Sequence, residues 1–451
     1  MKFVKYMTIF LLTSASNAAE WQAPNVERTT FINYIENYAS VGDTIHFPAD
    51  TAVWSDTYTI RKGVILIGAG MDSTCIISNF NSDDPLIMYN PSNYNLNTPF
   101  RFSGFTLDCA GKSRGIFLGH DNIFHPFQIQ TKVRIDHNRF KGPRGTDLSA
   151  QYIWHFTMFG VIDNNIFEPC FWPIKADPNA DCSWWEYITY TPGANEDCMY
   201  VEDNIFEGIS GAVSDGQFSG RYACRYNDIK ITFDMEPMFD MHGNQSPTEG
   251  MCSTFGSEIY GNNITGNYDV RLLDQRGGQA FVYFNNKNST NDMFEIQVRE
   301  EYDDSGNPPL TAPDGQPQHV SDSYYWNNRL NYKGEYFIVD EGQHVGDIPL
   351  VNRDYFYDTR VDNKKFDGTQ GVGYGKLADR PVTCTTGVGY WATNQSVTDL
   401  TGKVGAHPDS AITGVLYKAT ATNTWTEFYK PLVYPHPLRH PDPPKHLRFI
   451  K

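Results

Sequence analysis

The chain has 451 residues, of which 40 % are hydrophobic, 20 % charged and 14 % aromatic; this suits one large folded domain plus a small one and is too apolar for intrinsic disorder. Its formal net charge is −17, so its bulk field excludes a general nucleic-acid binder and opposes polyanions outside a local basic cleft.

Residues 1–19 read as a signal peptide. Lys2 and Lys5 form the positive region, Met7–Leu12 the apolar stretch, and Ser16-Asn17-Ala18-Ala19 the small residues before Glu20. That stretch is too short to span a bilayer, and no later apolar run is long enough, so the expectation is a secreted protein, periplasmic or extracellular, with no membrane span. Removal of the two lysines takes the charge from −17 to −19. Residues 28–50 look like an amphipathic cap, needed because an open solenoid end exposes a sheet edge. Gly63–Gly68 and Phe102–Asp108 have the texture of opening rungs.

A short motif then recurs: Ile135-Asp136-His137-Asn138, Ile162-Asp163-Asn164-Asn165, Val201-Glu202-Asp203-Asn204, Cys224-Arg225-Tyr226-Asn227, Ile259-Tyr260-Gly261-Asn262, Val282-Tyr283-Phe284-Asn285 and Tyr324-Tyr325-Trp326-Asn327. Successive Asn spacings are 27, 39, 23, 35, 23 and 42; the shortest fits one coil of a three-strand rung, with the excess in loops. The apolar residue three before each Asn is expected inside, and the Asn itself at a turn where stacked amides hydrogen-bond along the axis. Phe140, Phe167, Phe206, Ile229 and Ile264 follow two places after the Asn. The fold class expected is all-β: a right-handed parallel β-helix over residues 20–345, with an N-terminal cap and a small C-terminal β-module or tail over 346–451.

Residues 301–320, with their Gly and Pro clusters, read as a long exposed loop, and Gly414–Tyr429 as a hairpin turning at Ala421-Thr422-Asn423-Thr424. Tyr434-Pro435-His436-Pro437-Leu438 reads as a Pro-punctuated surface tail rather than a metal site. Of eight cysteines, Cys170, Cys182 and Cys198 cluster closely enough for one disulfide; the competing reading is buried core thiols, such as Cys224.

The repeat resembles the pectate-lyase-like superfamily of β-helix proteins. Phe239-Asp240-Met241-His242-Gly243-Asn244 and the Tyr434–Leu438 segment are similar to right-handed β-helix repeat proteins. The resemblance covers about residues 28–345. It implies the fold and leaves the activity open, since the superfamily includes polysaccharide lyases, polygalacturonase-type hydrolases, esterases, epimerases and non-catalytic spikes.

Two outward columns are candidate sites. Two residues before each Asn stand Asp136, Asp163, Glu202, Arg225, Tyr260, Tyr283 and Tyr325. The three carboxylates are candidate Ca²⁺ ligands, because like charges one rung apart repel unless a cation separates them. Arg225, Tyr260 and Tyr283 are candidate substrate contacts, the tyrosines by stacking on sugar rings; the alternative is a solvated face with a supporting Tyr ladder. The second column comes from Ile174-Lys175-Ala176-Asp177, Val213-Ser214-Asp215, Phe239–Gly243, Arg271–Arg276 and Val298-Arg299. This face is preferred for chemistry. His242, Arg276, Arg271, Asp240 and Lys175 are the catalytic candidates, Asp215 and Asp274 substrate-binding ones, and Asp215 or Asp240 a further cation site. Trp184 and Trp185 are candidates for walling a sugar cleft. The partner expected is a polysaccharide, with Ca²⁺ as cofactor and no organic cofactor. The favoured activity is a polysaccharide lyase; the alternatives are a glycoside hydrolase using two carboxyl groups, or a non-catalytic glycan-binding protein.

Overall fold

A computed structural model describes residues 18–93, 96–119, 129–143, 151–156, 158–177, 192–193, 196–217, 220–235, 237–243, 253–254, 256–290, 293–301, 319–331, 338–341 (backbone), 349–395 and 414–439. Candidates in 1–17, Trp184, Trp185, Cys182 and nearly all of the 301–320 loop lie outside these residues.

The described chain is a right-handed parallel β-helix. Each rung passes through three sheets in turn. Sheet I has twelve strands, from Glu20–Gln22 to Tyr355–Tyr357. Sheet II has ten, from Asp50–Trp54 to Arg329–Leu330, and sheet III has ten, from Tyr58–Ile60 to Ile338–Glu341. All pairings within the three sheets are parallel, as right-handed crossovers require. Sheet I runs past the expected boundary at 345, because Tyr355–Tyr357 still adds to it.

The Asn turn between sheets I and II holds the register. Each ladder amide donates to the next: Asn138 to Asn165 at 3.1 Å, Asn165 to Asn204 at 3.0 Å, then on through Asn227, Asn262 and Asn285 to Asn328 at 2.9 Å. Each Oδ1 also accepts a backbone N–H from the rung before, as Asn204 does from Asn165 at 2.9 Å. The residue preceding each ladder Asn lies in the left-handed region, including Tyr226 at φ 58° and Phe284 at φ 56°. Bulky side chains disfavour that region, so the ladder holds these turns against their local preference. The last rung corrects the sequence reading by one residue. Asn328, not Asn327, continues the ladder; Tyr325 faces the core and Trp326 takes the outward place assigned to Tyr325.

Ile135, Ile162, Val201, Cys224, Ile259 and Val282 are fully buried inside, and Phe140, Phe167 and Phe206 stack at 5.0 and 4.8 Å along sheet II. Phe31 and Ile35, from the helical segment at 28–38, close the N-terminal end, as a cap should. Cys75, Cys109, Cys170, Cys198, Cys224 and Cys384 are free thiols, so no disulfide joins Cys170 and Cys198.

The C-terminal module decides the fate of the first candidate column. Strands Val372–Gly375, Gly389–Ala392, Val415–Ala421 and Thr424–Tyr429 form a separate sheet, with the hairpin turning where expected. This sheet packs on the outward face of sheet I. Tyr260 stacks on Tyr283 at 4.5 Å and Tyr283 on Trp326 at 4.3 Å; Trp391 lies 4.9 Å beyond Trp326, and Tyr283 and Tyr429 share a hydroxyl hydrogen bond. Tyr260 and Tyr283 are therefore core residues, with no face left for a sugar ring.

The tail is a strap and not a loose surface segment. Tyr434 and His436 are buried against sheet I. Arg225 donates to the Leu432 carbonyl at 2.7 Å, so it serves the strap and not a substrate. The expected Ca²⁺ ladder is likewise replaced by arginine. Asp136 accepts two bonds from Arg101 at 2.7 and 2.6 Å, Asp163 two from Arg134 at 2.9 Å, and Glu202 is paired with Arg225 at 2.6 Å and Arg439 at 2.8 Å. Burial alone would raise the Asp136 carboxyl; Arg101, with His137 and Arg134, holds it well below the usual carboxylate range. Guanidinium forks supply the cations between these like charges, so no metal is required there.

Candidate active face on sheet III

Sheet III carries the second column on strands Trp172–Ala176, Ser214–Gly216, Phe239–Met241, Val270–Gln275 and Phe294–Val298. Their register places Lys175, Asp215, Asp240, Asp274 and Gln297 side by side. Ile174, Phe239, Leu273 and Ile296 before them point into the core, so alternation turns this row outward. Two residues on, a second row follows: Asp177, Gln217, His242, Arg276 and Arg299. Ladder bonds just past the strand ends hold it, such as His242 N–H to the Gly216 carbonyl and Arg276 N–H to the Met241 carbonyl, both at 2.9 Å.

His242 is the centre. Its Nε2 lies 3.4 Å from Oδ1 of Asp215 and 3.3 Å from Oδ2 of Asp240, and its Nδ1 lies 3.5 Å from Oε2 of Glu301. Arg276 donates through Nη2 to Asp240 and approaches Nε2 of His242, both at 2.6 Å, while its Nη1 reaches Glu301 at 2.6 Å. Gln217 Nε2 lies 3.0 Å from the same ring nitrogen. Arg299 forks onto Asp274 at 3.1 and 2.7 Å. Asp215 differs from its neighbours. It is wholly buried, and neither of its carboxylate oxygens makes a hydrogen bond.

Burial would raise the Asp240 carboxyl; His242 in its charged form, together with Arg276, outweighs burial and lowers it. Burial lowers the His242 pKa; the charge of Asp240 outweighs burial and drives it well above the ordinary value. That direction conflicts with the 2.6 Å approach of Arg276, which needs a lone pair on Nε2. Two donors do not share so short a contact. The neutral ring, with its proton on Nδ1 toward Glu301, is the form consistent with Arg276 in this position, and charging the ring requires Arg276 to move.

Of the residues expected at a site, the structure gathers His242, Asp240, Arg276, Asp215 and Asp274. Lys175 stands one rung before Asp215, paired with Asp177 at 3.2 Å and 4.7 Å from the Trp154 ring. Arg271 is separated: it lies three residues before Asp274, about 10 Å along the strand, and pairs with Glu295 at 2.8 Å. Arg225, Tyr260, Tyr283, Asp136, Asp163 and Glu202 belong to the covered face of sheet I. Sequence reasoning missed Gln217 and Glu301. The period-two rule could have found both, since Gln217 follows Asp215 by two places and Glu301 follows Arg299 by two.

No protein-family model matches the chain, and no curated protein matches it in sequence. Among solved structures, the A-module of a mannuronan C-5 epimerase from Azotobacter vinelandii is 14 % identical, over 70 % of this chain and 83 % of that one, with a TM-score of 0.37. A variant of a PL6 family alginate lyase is 11 % identical, over 82 % of this chain and 64 % of that one, with a TM-score of 0.32. An open-reading-frame product of Geobacillus virus E2 is 13 % identical with a TM-score of 0.26, and the match spans 69 % of this chain and 56 % of the viral one. Likeness at this level concerns the fold alone.

Proposed function

We propose that this chain is an exported carbohydrate-active protein that cleaves a polysaccharide on the outward face of sheet III, by β-elimination at a uronate residue. The observation that carries the reading is the convergence of an imidazole, guanidinium groups and two carboxylates on adjacent rungs of one outward face. β-Elimination needs a group to take the proton α to the uronate carboxylate and positive charge to stabilise the resulting anion. In this reading His242 takes the proton, its Nε2 being the acceptor in the neutral ring. Arg276 and the more exposed Arg299 receive the uronate carboxylate, and Glu301 orients the imidazole through Nδ1. Asp274 positions Arg299 and lies near Arg276, and Lys175, paired with Asp177, stands beside Asp215. The leader read in residues 1–19 accounts for export.

A second reading has one observation in its favour. Asp215 and Asp240 stand one rung apart, and Asp240 is held ionised beside a buried carboxyl that lacks a hydrogen bond. A retaining glycoside hydrolase uses such a pair, one carboxylate as nucleophile and the other carboxyl as acid.

Incubating the mature chain with a panel of uronate and neutral glycans separates these readings. The lyase produces the ultraviolet absorbance of an unsaturated uronate, and His242→Gln abolishes it. New reducing ends without that absorbance would transfer the assignment to the hydrolase pair. A folded protein silent in both channels would reject cleavage altogether.

A further inference from the structure

We infer that Asp215, Asp240 and His242 form a binding site for one divalent transition-metal ion of the Zn²⁺ or Mn²⁺ class. The inference goes beyond the reading above. A bound ion would take the Nε2 lone pair, so in the metal-loaded site His242 would be a ligand and the proton would have to pass to another group, such as water in the ion's open position. Binding itself is measured without turnover.

Asp215, Asp240 and His242 each offer a ligand atom, all within 4.8 Å of one another, and all three side chains are buried. Nε2 of His242 is 3.4 and 3.3 Å from the two carboxylate oxygens, close to the edge of a tetrahedron with arms of about 2.1 Å. The set is fixed by the backbone, because Asp215 and Asp240 are ladder partners and the His242 N–H closes on Gly216.

Asp215 points to a ligand independently of that geometry. A buried carboxylate with no hydrogen bond is costly to keep ionised unless a cation sits against it. Carboxylates also outnumber permanent cations around it: Asp177, Asp215, Asp240, Asp274 and Glu301 stand against Lys175, Arg276 and Arg299.

The surroundings of the ring fit a metal-bound histidine. A ligating imidazole is generally oriented by a carboxylate on its other nitrogen. Here Glu301 stands 3.5 Å from Nδ1 and is itself fixed by Arg276 Nη1 at 2.6 Å and the Gly243 N–H at 2.7 Å. Arg276 Nη2 marks where positive charge is drawn, 2.6 Å from both Asp240 and Nε2. On metal binding it retires to Glu301 and Asp274, the latter already 3.7 Å from Nε. A set of one imidazole and two carboxylates suits a borderline ion, whereas Ca²⁺ takes oxygen ligands. Three protein ligands leave a position for water or a substrate oxygen.

The test uses chelator-dialysed full chain, titrated calorimetrically with Zn²⁺ and separately with Ca²⁺. One equivalent of Zn²⁺ is expected to bind far more tightly than Ca²⁺. Asp215→Asn and His242→Gln should each weaken it by more than about 100-fold, and Glu301→Gln by about 10- to 100-fold. Zn²⁺ binding unchanged by these substitutions, or Ca²⁺ binding that is equally tight and survives His242→Gln, overturns the site. Should a variant fail to fold, pulsed EPR of Mn²⁺ in the wild-type chain reads histidine nitrogen coupling directly, and its absence overturns the site too. Metal binding without turnover on any glycan upholds the site and counts against the cleavage reading. Turnover in a protein that binds no Zn²⁺ does the reverse.

Discussion

The outward faces of sheets I and III are built on the same rungs, yet they treat buried charge in opposite ways. On sheet I every carboxylate of the column has a guanidinium fork, and the strap adds Arg439 and the His436 N–H to Glu202. On sheet III Asp215 is equally buried and has no hydrogen bond, while Arg276 crowds His242. A face whose column carboxylates are all paired is a structural interface. A buried carboxylate left without a hydrogen bond is where a ligand or reaction is expected, because stability alone would have removed the cost.

The contrast is tested most severely at Arg225. Arg225→Met leaves Glu202 short of its innermost partner and frees the strap at Leu432; unfolding in denaturant should show a loss of about 3–5 kcal/mol. A midpoint unchanged from wild type would mean that the strap is not held electrostatically. Asn204→Ala acts on the frame common to both faces. It orphans the Ile162 carbonyl and the Asn165 N–H and should cost about 1–3 kcal/mol, with activity retained in the folded fraction.

Glu300, next to the site residue Glu301, offers a pH-dependent comparison. Burial, reinforced by Asp354, pushes its carboxyl up to about 8 from an ordinary 4.5, even though the Val320 N–H donates to it. Between those values the folded chain holds a proton that the unfolded chain has lost. Stability from this group is therefore complete below 4.5 and falls as pH rises toward 8, by up to about 1.4 kcal/mol per pH unit. Glu300→Gln should flatten that slope in thermal melts from pH 5 to 8, and an unaltered slope would show that another group titrates.

The smallest stability effect belongs to Asp215→Asn. It should remain within about 1 kcal/mol of wild type in either direction, while Zn²⁺ binding falls by about 100-fold or more. If Asp215→Asn destabilises the fold as severely as Arg225→Met, the two faces are alike and the assignment of a functional face to sheet III fails.

Much of the fold was legible in the residues. The Asn turn with an apolar residue three places before and two places after it is a local pattern, and parallel stacking makes the same pattern the register of the whole solenoid. The hairpin at residues 421–424 was legible for the same reason, as turn chemistry is local. The last rung slipped by one because Asn327 and Asn328 are adjacent, and only the hydrogen bond from Asn285 distinguishes them. At the site, alternation aligned Asp215, Asp240, His242, Asp274 and Arg276, and the same alternation carried past the strand end reaches Glu301, whose N–H bonds the Arg276 carbonyl.

Sequence by itself determined which side chains point in and which point out, because alternation along a strand is a property of the backbone. It did not determine whether an outward side chain meets water. That depends on what the rest of the chain lays over it, and the contact between His436 and Glu202 spans 234 residues. Asp163 and Asp215 read alike in the sequence, each a carboxylate on an outward column. Tertiary structure alone gave one of them an arginine at 2.9 Å and left the other without a hydrogen-bonding partner, because the electrostatics of a buried charge are set by neighbours in space and not by neighbours in the chain.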